Sequence, residues 1–262
     1  MQLFIFFFVI ETKSQIIGGS NALDPSKFPH HVSISLEDKD ICGGSIIHKY
    51  FVLTAAHCLY SNNLQNYKIN VGSVFFQQGF YWHTISRIIK HEKFDENIII
   101  HDIGLLKVSS PFVSNSLVKS IDIYDSKISE GMIATVIGWG VDQNDKLQEI
   151  LQKLQVPILN HAECGKFYKY EVRMTKYHIC AGYYTYGSHY VVRSSSGDSG
   201  GSLILDEKIV GIVSYGQYDE PNRFKLTCPT IYTAVPMYQE WIKNNIQESL
   251  LENQENEISQ LH

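Results

Sequence analysis

From Val32 the chain alternates apolar and polar residues, Val32-Ser33-Ile34-Ser35-Leu36, whereas from Phe51 it runs apolar without a break, Phe51-Val52-Leu53-Thr54. A period of two marks a strand with one face on a core. A short unbroken apolar run between turn residues marks a strand covered on both faces. Leu203-Ile204-Leu205 and Ile209-Val210-Gly211-Ile212-Val213 are of the second kind. Before Pro236 no long stretch keeps helical spacing. After it, Tyr238, Trp241, Ile242, Ile246 and Leu250 fall on one helical face. The pattern predicts an all-β chain closed by a C-terminal helix over about 235–247. The segment from Glu248 to His262 is rich in Glu, Gln and Asn, and is expected to be a polar, acidic, solvated tail with some helix.

Composition narrows this picture. A chain of 262 residues exceeds the usual single core, and two packed barrels sharing one cleft would accommodate it without a linker. The hydrophobic share of 44% and charged share of 19% are those of a folded globular protein. A net charge of −5 with scattered Lys and Arg argues against nucleic acid as a partner. Gln2 to Ile10 is a Phe-rich apolar run too short to span a bilayer. With Thr12 and Ser14 following as a small-x-small pattern, residues 1–15 are expected to be a signal peptide with a very short pro-segment. No other stretch suits a membrane anchor, so the product is expected to be secreted and extracellular, without a membrane partner. Five cysteines agree with an oxidising compartment. The loop after Asn70 lacks an acidic pair for calcium, and neither a metal nor another cofactor is expected.

The chemistry centres on Gly197-Asp198-Ser199-Gly200-Gly201. A serine flanked by glycines is held with its hydroxyl exposed, because glycine tolerates the tight backbone this requires. Serine is a weak nucleophile and needs a base, and the base needs an orienting group. Thr54-Ala55-Ala56-His57-Cys58 supplies a histidine after an apolar strand, and His101-Asp102-Ile103-Gly104-Leu105-Leu106 an aspartate at the mouth of another. Singly, each motif has a dull explanation: a loop, a packed histidine, a turn aspartate. Jointly they follow the order His, Asp, Ser, which separates one class of serine hydrolases from the others.

On these residues the chain resembles the trypsin-like, chymotrypsin-fold serine peptidases, from Ile16 to about Asn245. Ile16-Ile17-Gly18-Gly19 looks like the family's mature amino terminus, Cys42-Gly43-Gly44-Ser45 like the strand before the histidine, and Gly138-Trp139-Gly140 like its mid-chain turn. Ser214-Tyr215-Gly216 resembles the substrate-binding strand and Trp241-Ile242 the closing helix. Arg87 to Pro111, with His91-Glu92-Lys93-Phe94, looks most like digestive peptidases of mites, the group that includes dust-mite allergens. The resemblance implies two six-stranded antiparallel β-barrels, about 16–123 and 124–234, with the active site between them. It implies a peptidase domain over 16–247, acting on polypeptides as a monomer, possible sites including the gut lumen, with protein inhibitors as further partners.

The resemblance also assigns roles. His57, Asp102 and Ser199 would be catalytic, the amides of Gly197 and Ser199 an oxyanion hole, and Ser214 a support for Asp102. Ser214, Tyr215 and Gly216 would pair with substrate, and the amine of Ile16 would insert against Asp198 on activation. Disulfides Cys42–Cys58 and Cys164–Cys180 are implied, which leaves Cys228 as a thiol outside both. Four departures stand out. Gln15 precedes Ile16 where digestive relatives carry Lys or Arg. Ser195 replaces the cysteine that relatives bridge to the position of Cys228. Arg193, beside Ser194, stands at the floor of the primary specificity pocket, and Thr230 replaces a pocket glycine. A positive floor points to cleavage after Asp or Glu. The alternative is a catalytically weak or silent homologue serving as a binding or inhibitory protein, as among parasitic mites.

Overall fold

The computed structural model describes residues 19–37, 39–76, 78, 81–140, 147–168, 172–183, 198–216 and 228–259. A two-residue strand, β1 (Ser20–Asn21), is followed by β2 (His31–Leu36), β3 (Lys39–His48), β4 (Phe51–Thr54), β5 (Tyr67–Val71), β6 (Tyr81–Lys90) and β7 (Gly104–Val108). These six close into an antiparallel barrel in the order β2-β3-β4-β7-β6-β5. The second half supplies β8 (Ile133–Gly138), β9 (Gln152–Leu159), β10 (His178–Ala181), β11 (Ser202–Leu205), β12 (Lys208–Tyr215) and β13 (Thr230–Ala234). Their order is β9-β10-β13-β12-β11-β8, and pairing of β8 with β9 closes a second six-stranded barrel. β1 pairs antiparallel with the start of β9 and so ties the front of the chain to the second barrel.

The hydropathy pattern explains which strands lie where. β9 shows a strict alternation, with Leu154, Val156 and Ile158 turned into the second barrel core and Lys153 and Gln155 exposed. The unbroken runs of β11 and β12 serve two cores at once. Leu203, Leu205, Val210 and Val213 fill the second barrel, while Ile204, Ile209 and Ile212 join the core that continues into the first barrel and the C-terminal helix. An apolar residue on both faces is what a strand at the seam between barrels requires. In β2 the alternating Ser33 and Ser35 are also buried. A further short helix, α1 (His161–Gly165), is capped by Asn160, whose side chain accepts from Glu163 N. It carries Cys164 to its disulfide with Cys180. Cys42 and Cys58 form the other bridge. Cys228 is buried against Cys164, Cys180 and Tyr168 and takes part in neither bridge.

The C-terminal helix corrects the expected boundary at residue 247. After a turn of 3-10 helix at Val235–Tyr238, α2 runs from Gln239 to Ser259. Tyr238 and Ile242 are buried, with Trp241, Ile246 and Leu250 packed beside them, as the spacing predicts. The polar segment after Gln247 continues the helix as far as Ser259, and its first turns land on the first barrel. The buried Lys107 of β7 donates from Nζ to the carbonyl of Ser249 at 2.6 Å, Ser249 is itself buried, and Arg87 of β6 forms an ion pair with Glu252. The exposed Arg87 pair contributes little on its own. The bond from a buried ammonium contributes more, since an unmet charged donor is costly.

Ending the chain after Gln247 is therefore expected to lower stability by about 1–3 kcal/mol, read as a shift in the urea midpoint. Lys107→Met in the shortened chain should recover much of that loss.

Two buried histidines give the fold an acid limit. His31 stacks on Trp139 at 4.7 Å between ring centroids. Burial, then the neighbouring His30, push its pKa down to about 3, and burial alone pushes His30 down to about 4. Both are neutral when folded and regain a value near 6.5 when unfolded, so the unfolded chain binds more protons between those limits. The stability they contribute is complete above about pH 6.5 and is lost as the pH falls toward 4 and then 3, by on the order of 3 kcal/mol for His30. Urea midpoints at pH 7 and pH 4.5 should fall less steeply in His30→Tyr/His31→Gln than in the wild type.

Candidate active site

The His57 end of the first barrel is built by β4. The strand ends in a single 3-10 turn, Ala56–Cys58, and the Cys42–Cys58 bridge fixes that turn to β3. The turn presents His57 with its side chain 26% exposed, against 3% for Asp102. Asp102 arrives from the loop before β7. Its Oδ1 accepts the backbone N–H of His57 at 2.9 Å, and its Oδ2 meets His57 Nδ1 at 2.7 Å. From the second barrel, Ser214 Oγ donates to the same Oδ2 at 2.6 Å. Thr233 Oγ1 donates to the Asp102 carbonyl at 2.8 Å. The carboxylate is thus bound by both barrels and sits on their seam.

This arrangement sets the state of the imidazole. A carboxylate only accepts, so Nδ1 carries the proton and Nε2 is left with a lone pair. Burial opposes charging of His57, but the hydrogen bond and charge of Asp102, with a lesser contribution from Glu96, outweigh it and raise the pKa above its ordinary value of 6.5. His57 is consequently a stronger proton acceptor than a free histidine, held in one tautomer.

Ser199 reaches the same place from the second barrel. Its carbonyl accepts Gly43 N at 2.8 Å, Gly200 N donates to Val213 O at 2.9 Å, and Gly201 N donates to Asp198 O at 2.9 Å. The turn is held between β3 and β12, tightly enough that glycine is required. At Gly200, with φ of 78°, a Cβ would collide with Thr54 Oγ1 and come within 3.2 Å of Cys58 Sγ. The Ser199 turn therefore abuts the disulfide beside His57. Ser199 is half-buried. Asp198 is fully buried, and its Oδ1 accepts Gly140 N at 2.8 Å. A Cβ at Gly138 would run into that carboxylate, so the Gly138-Trp139-Gly140 turn is shaped around Asp198.

The strand that follows has an open end. β11 stays in register with β12 only as far as Ile212, so Ser214, Tyr215 and Gly216 extend past it. Tyr215 is half-buried, with its ring 5.8 Å from Tyr168, and a Cβ on Gly216 would have no atom within 4 Å. Thr230 is buried at the start of β13 opposite Ala181. The expectations on Ile16, Arg193, Ser194 and Gly197 fall outside the described residues. Sequence reasoning missed Thr233, whose only signal is a second threonine in the short strand β13, and Thr54, which donates to Gly43 O at 2.8 Å behind the Ser199 turn.

The potential metal ligands nearest this site do not form a centre. Donor atoms of Cys42, His57 and Cys58 lie within 4.8 Å of one another, but both sulfurs are joined in a disulfide and no thiolate is available for a metal.

With this geometry in place, similarity to known proteins is informative. A family model described as trypsin matches residues 16–242. The chain is 31% identical over 235 residues to trypsin iota of Drosophila melanogaster, covering 89% of each. It is 31% identical over 235 residues to the vitellin-degrading protease of Bombyx mori, covering 88% of this chain and 86% of that one. It is 32% identical over 234 residues to hypodermin-B of Hypoderma lineatum, covering 88% and 87%. These relatives are insect proteins, and the narrower likeness of Arg87 to Pro111 to mite peptidases finds no support among them. A buried aspartate holding a cleft histidine beside a glycine-bound serine, over a family match of this extent, places the chain in the trypsin family of serine endopeptidases.

Proposed function

We propose that this protein is a secreted serine endopeptidase in which Ser199 attacks the peptide carbonyl while His57 takes its proton. His57 then returns the proton to the leaving amine, and Asp102 holds the imidazole in the tautomer that leaves Nε2 free to accept. The observation that carries this reading is the pair of Asp102 contacts to His57, 2.9 Å to the backbone and 2.7 Å to Nδ1, completed by Ser214. The amides of Gly197 and Ser199 form the oxyanion hole, where loss of one donor costs ~10²–10³ in rate. Ser214 to Gly216, extending past the end of β11, is a natural edge for an extended substrate backbone. Two disulfides support an oxidising destination, consistent with residues 1–15 serving as a signal peptide.

Activation follows from the buried Asp198. A carboxylate at zero exposure next to Ser199 suits a new ammonium at Ile16, since two buried charges are tolerable as a pair. Gln15 makes trypsin an unsuitable activator, and cleavage by signal peptidase with trimming, or after Gln, is the alternative route. For selectivity, Arg193 on the pocket floor repels Lys and Arg and binds Asp or Glu in a bidentate pair, while Thr230 narrows the pocket.

Three outcomes are expected. Ser199→Ala and His57→Ala each lose nearly all hydrolysis and fluorophosphonate labelling, and the double variant loses little more; independent, multiplying losses would reject a concerted unit. In the pH profile of kcat/KM, activity rises with pH through an apparent pKa above 6.5, because His57 must be neutral to act and its folded pKa is raised. Asp102→Asn removes that support, so the acid limb moves to lower pH and kcat falls by roughly 10⁴-fold, the size general to this triad. In a peptide library the wild type cleaves after Asp or Glu, and Arg193→Asp transfers cleavage to Lys and Arg. Robust wild-type cleavage after Lys or Arg would sink the acidic preference.

A further inference from the structure

The loop that delivers Asp102 has an unusual backbone. Ile99, at φ of 51°, and His101, at φ of 57°, both adopt the left-handed conformation. That region is unfavourable for any residue with a Cβ and more so for a branched one. Such a conformation persists only where its surroundings hold it. Here the holding groups are visible. His178 Nε2 meets the Ile99 carbonyl at 2.7 Å. The His101 ring stacks on His91 at 4.7 Å with 5° between planes, touches Tyr177 at 4.7 Å, and places Nδ1 3.0 Å from the Tyr238 hydroxyl. His91 stands next to the end of β6, Tyr177 before β10 and Tyr238 at the start of the C-terminal helix. Three separated parts of the chain therefore converge on one side chain.

That side chain controls the turn bearing Asp102. Ile103 N donates to the His101 carbonyl at 2.8 Å, closing a three-residue turn with Asp102 at its centre. The donors on the carboxylate, from His57 and Ser214, act at the tip of the side chain. Its base is aimed by the turn. Burial, then the neighbouring Tyr177 and Asp102, raise the Tyr238 phenol well above its ordinary range, so it remains a hydroxyl that can donate to Nδ1.

We propose that His101, anchored by Tyr238, is a positioning residue for Asp102: the Tyr238–His101 contact holds the left-handed backbone that aims the carboxylate at His57. The inference rests on the reading of Asp102 as the group that orients the catalytic base.

The test compares the wild type with His101→Ala, His101→Asn and Tyr238→Phe, by steady-state kinetics and by the low-field proton signal of the His57 Nδ1–H bonded to Asp102. Asparagine tolerates left-handed backbone and can still accept from Tyr238. A misplacement of about 1 Å costs on the order of 10² in rate. His101→Ala and Tyr238→Phe are accordingly expected to lower kcat by ~10- to 100-fold with KM within about twofold, and to broaden or lose the low-field signal; His101→Asn should restore both. Unchanged kcat and signal in folded His101→Ala would overturn the proposal, as would a loss expressed only in KM or a failure of asparagine to rescue. Should His101→Ala not fold, Tyr238→Phe decides by the same criteria. A wild type that hydrolyses nothing yet loses its signal in these variants would uphold the positioning role and reject the peptidase reading.

Discussion

A carboxylate with 2% exposure is a costly thing to place inside a protein. The carboxylate of Asp102 is tolerated because three donors reach it, the His57 amide and ring and the Ser214 hydroxyl, while the Thr233 hydroxyl holds the backbone carbonyl of the same residue. Two of the carboxylate's donors come from the turn after β4, in the first barrel, and one from β12, in the second. Neither barrel alone could satisfy it. Docking of the barrels and assembly of the site are therefore one event, and a hydrogen bond to a charged group, worth about 1.5–3 kcal/mol, makes the seam as much a source of stability as of chemistry.

The same constraint explains why histidines in this chain behave in opposite ways. His30 and His31 are buried without a carboxylate contact among the described residues, and burial drives them down to about 4 and about 3. His57 also meets a burial penalty, but the adjacent Asp102 charge overcomes it and the shift reverses. Depth in the protein does not by itself decide which imidazole can take a proton near neutral pH. The neighbour does, and the neighbour is held in place by strands far apart in sequence.

Much of this was legible in the sequence. Unbroken apolar runs at β4, β11 and β12 correctly marked strands covered on both faces, and the glycine frame of Ser199 marked a tight turn, now seen pressed on Thr54 and Cys58. The two disulfides match the pairing that the resemblance implied. Other features left no local trace. The helix extension past Gln247 has a polar composition that reads as solvated, and its order comes from Lys107 and Arg87, more than 140 residues upstream. Thr233 and the His101–Tyr238 contact were equally hidden, because their significance lies in which strand or helix they approach.

The departures from the family pattern fall outside this shared framework. His57 follows β4, Asp102 lies in the loop before β7 and Ser199 in the turn before β11, with Ser214 of β12 and Thr233 of β13 bonded to Asp102. Arg193 lies in sequence between β10 and the nucleophile turn, and the segment after Gly216 leads back to Cys228 and Thr230. Cys228 takes part in neither disulfide, and the described hydrogen bonds to Asp102 come from His57, Ser214 and Thr233, outside both stretches. In the proposed reading, chemistry and selectivity are thus carried by different parts of the chain. Under the proposed reading, a change at Arg193 or Thr230 redirects which side chain is accepted without disturbing how the peptide bond is attacked, so the proposed triad and the proposed acidic preference are compatible in one molecule.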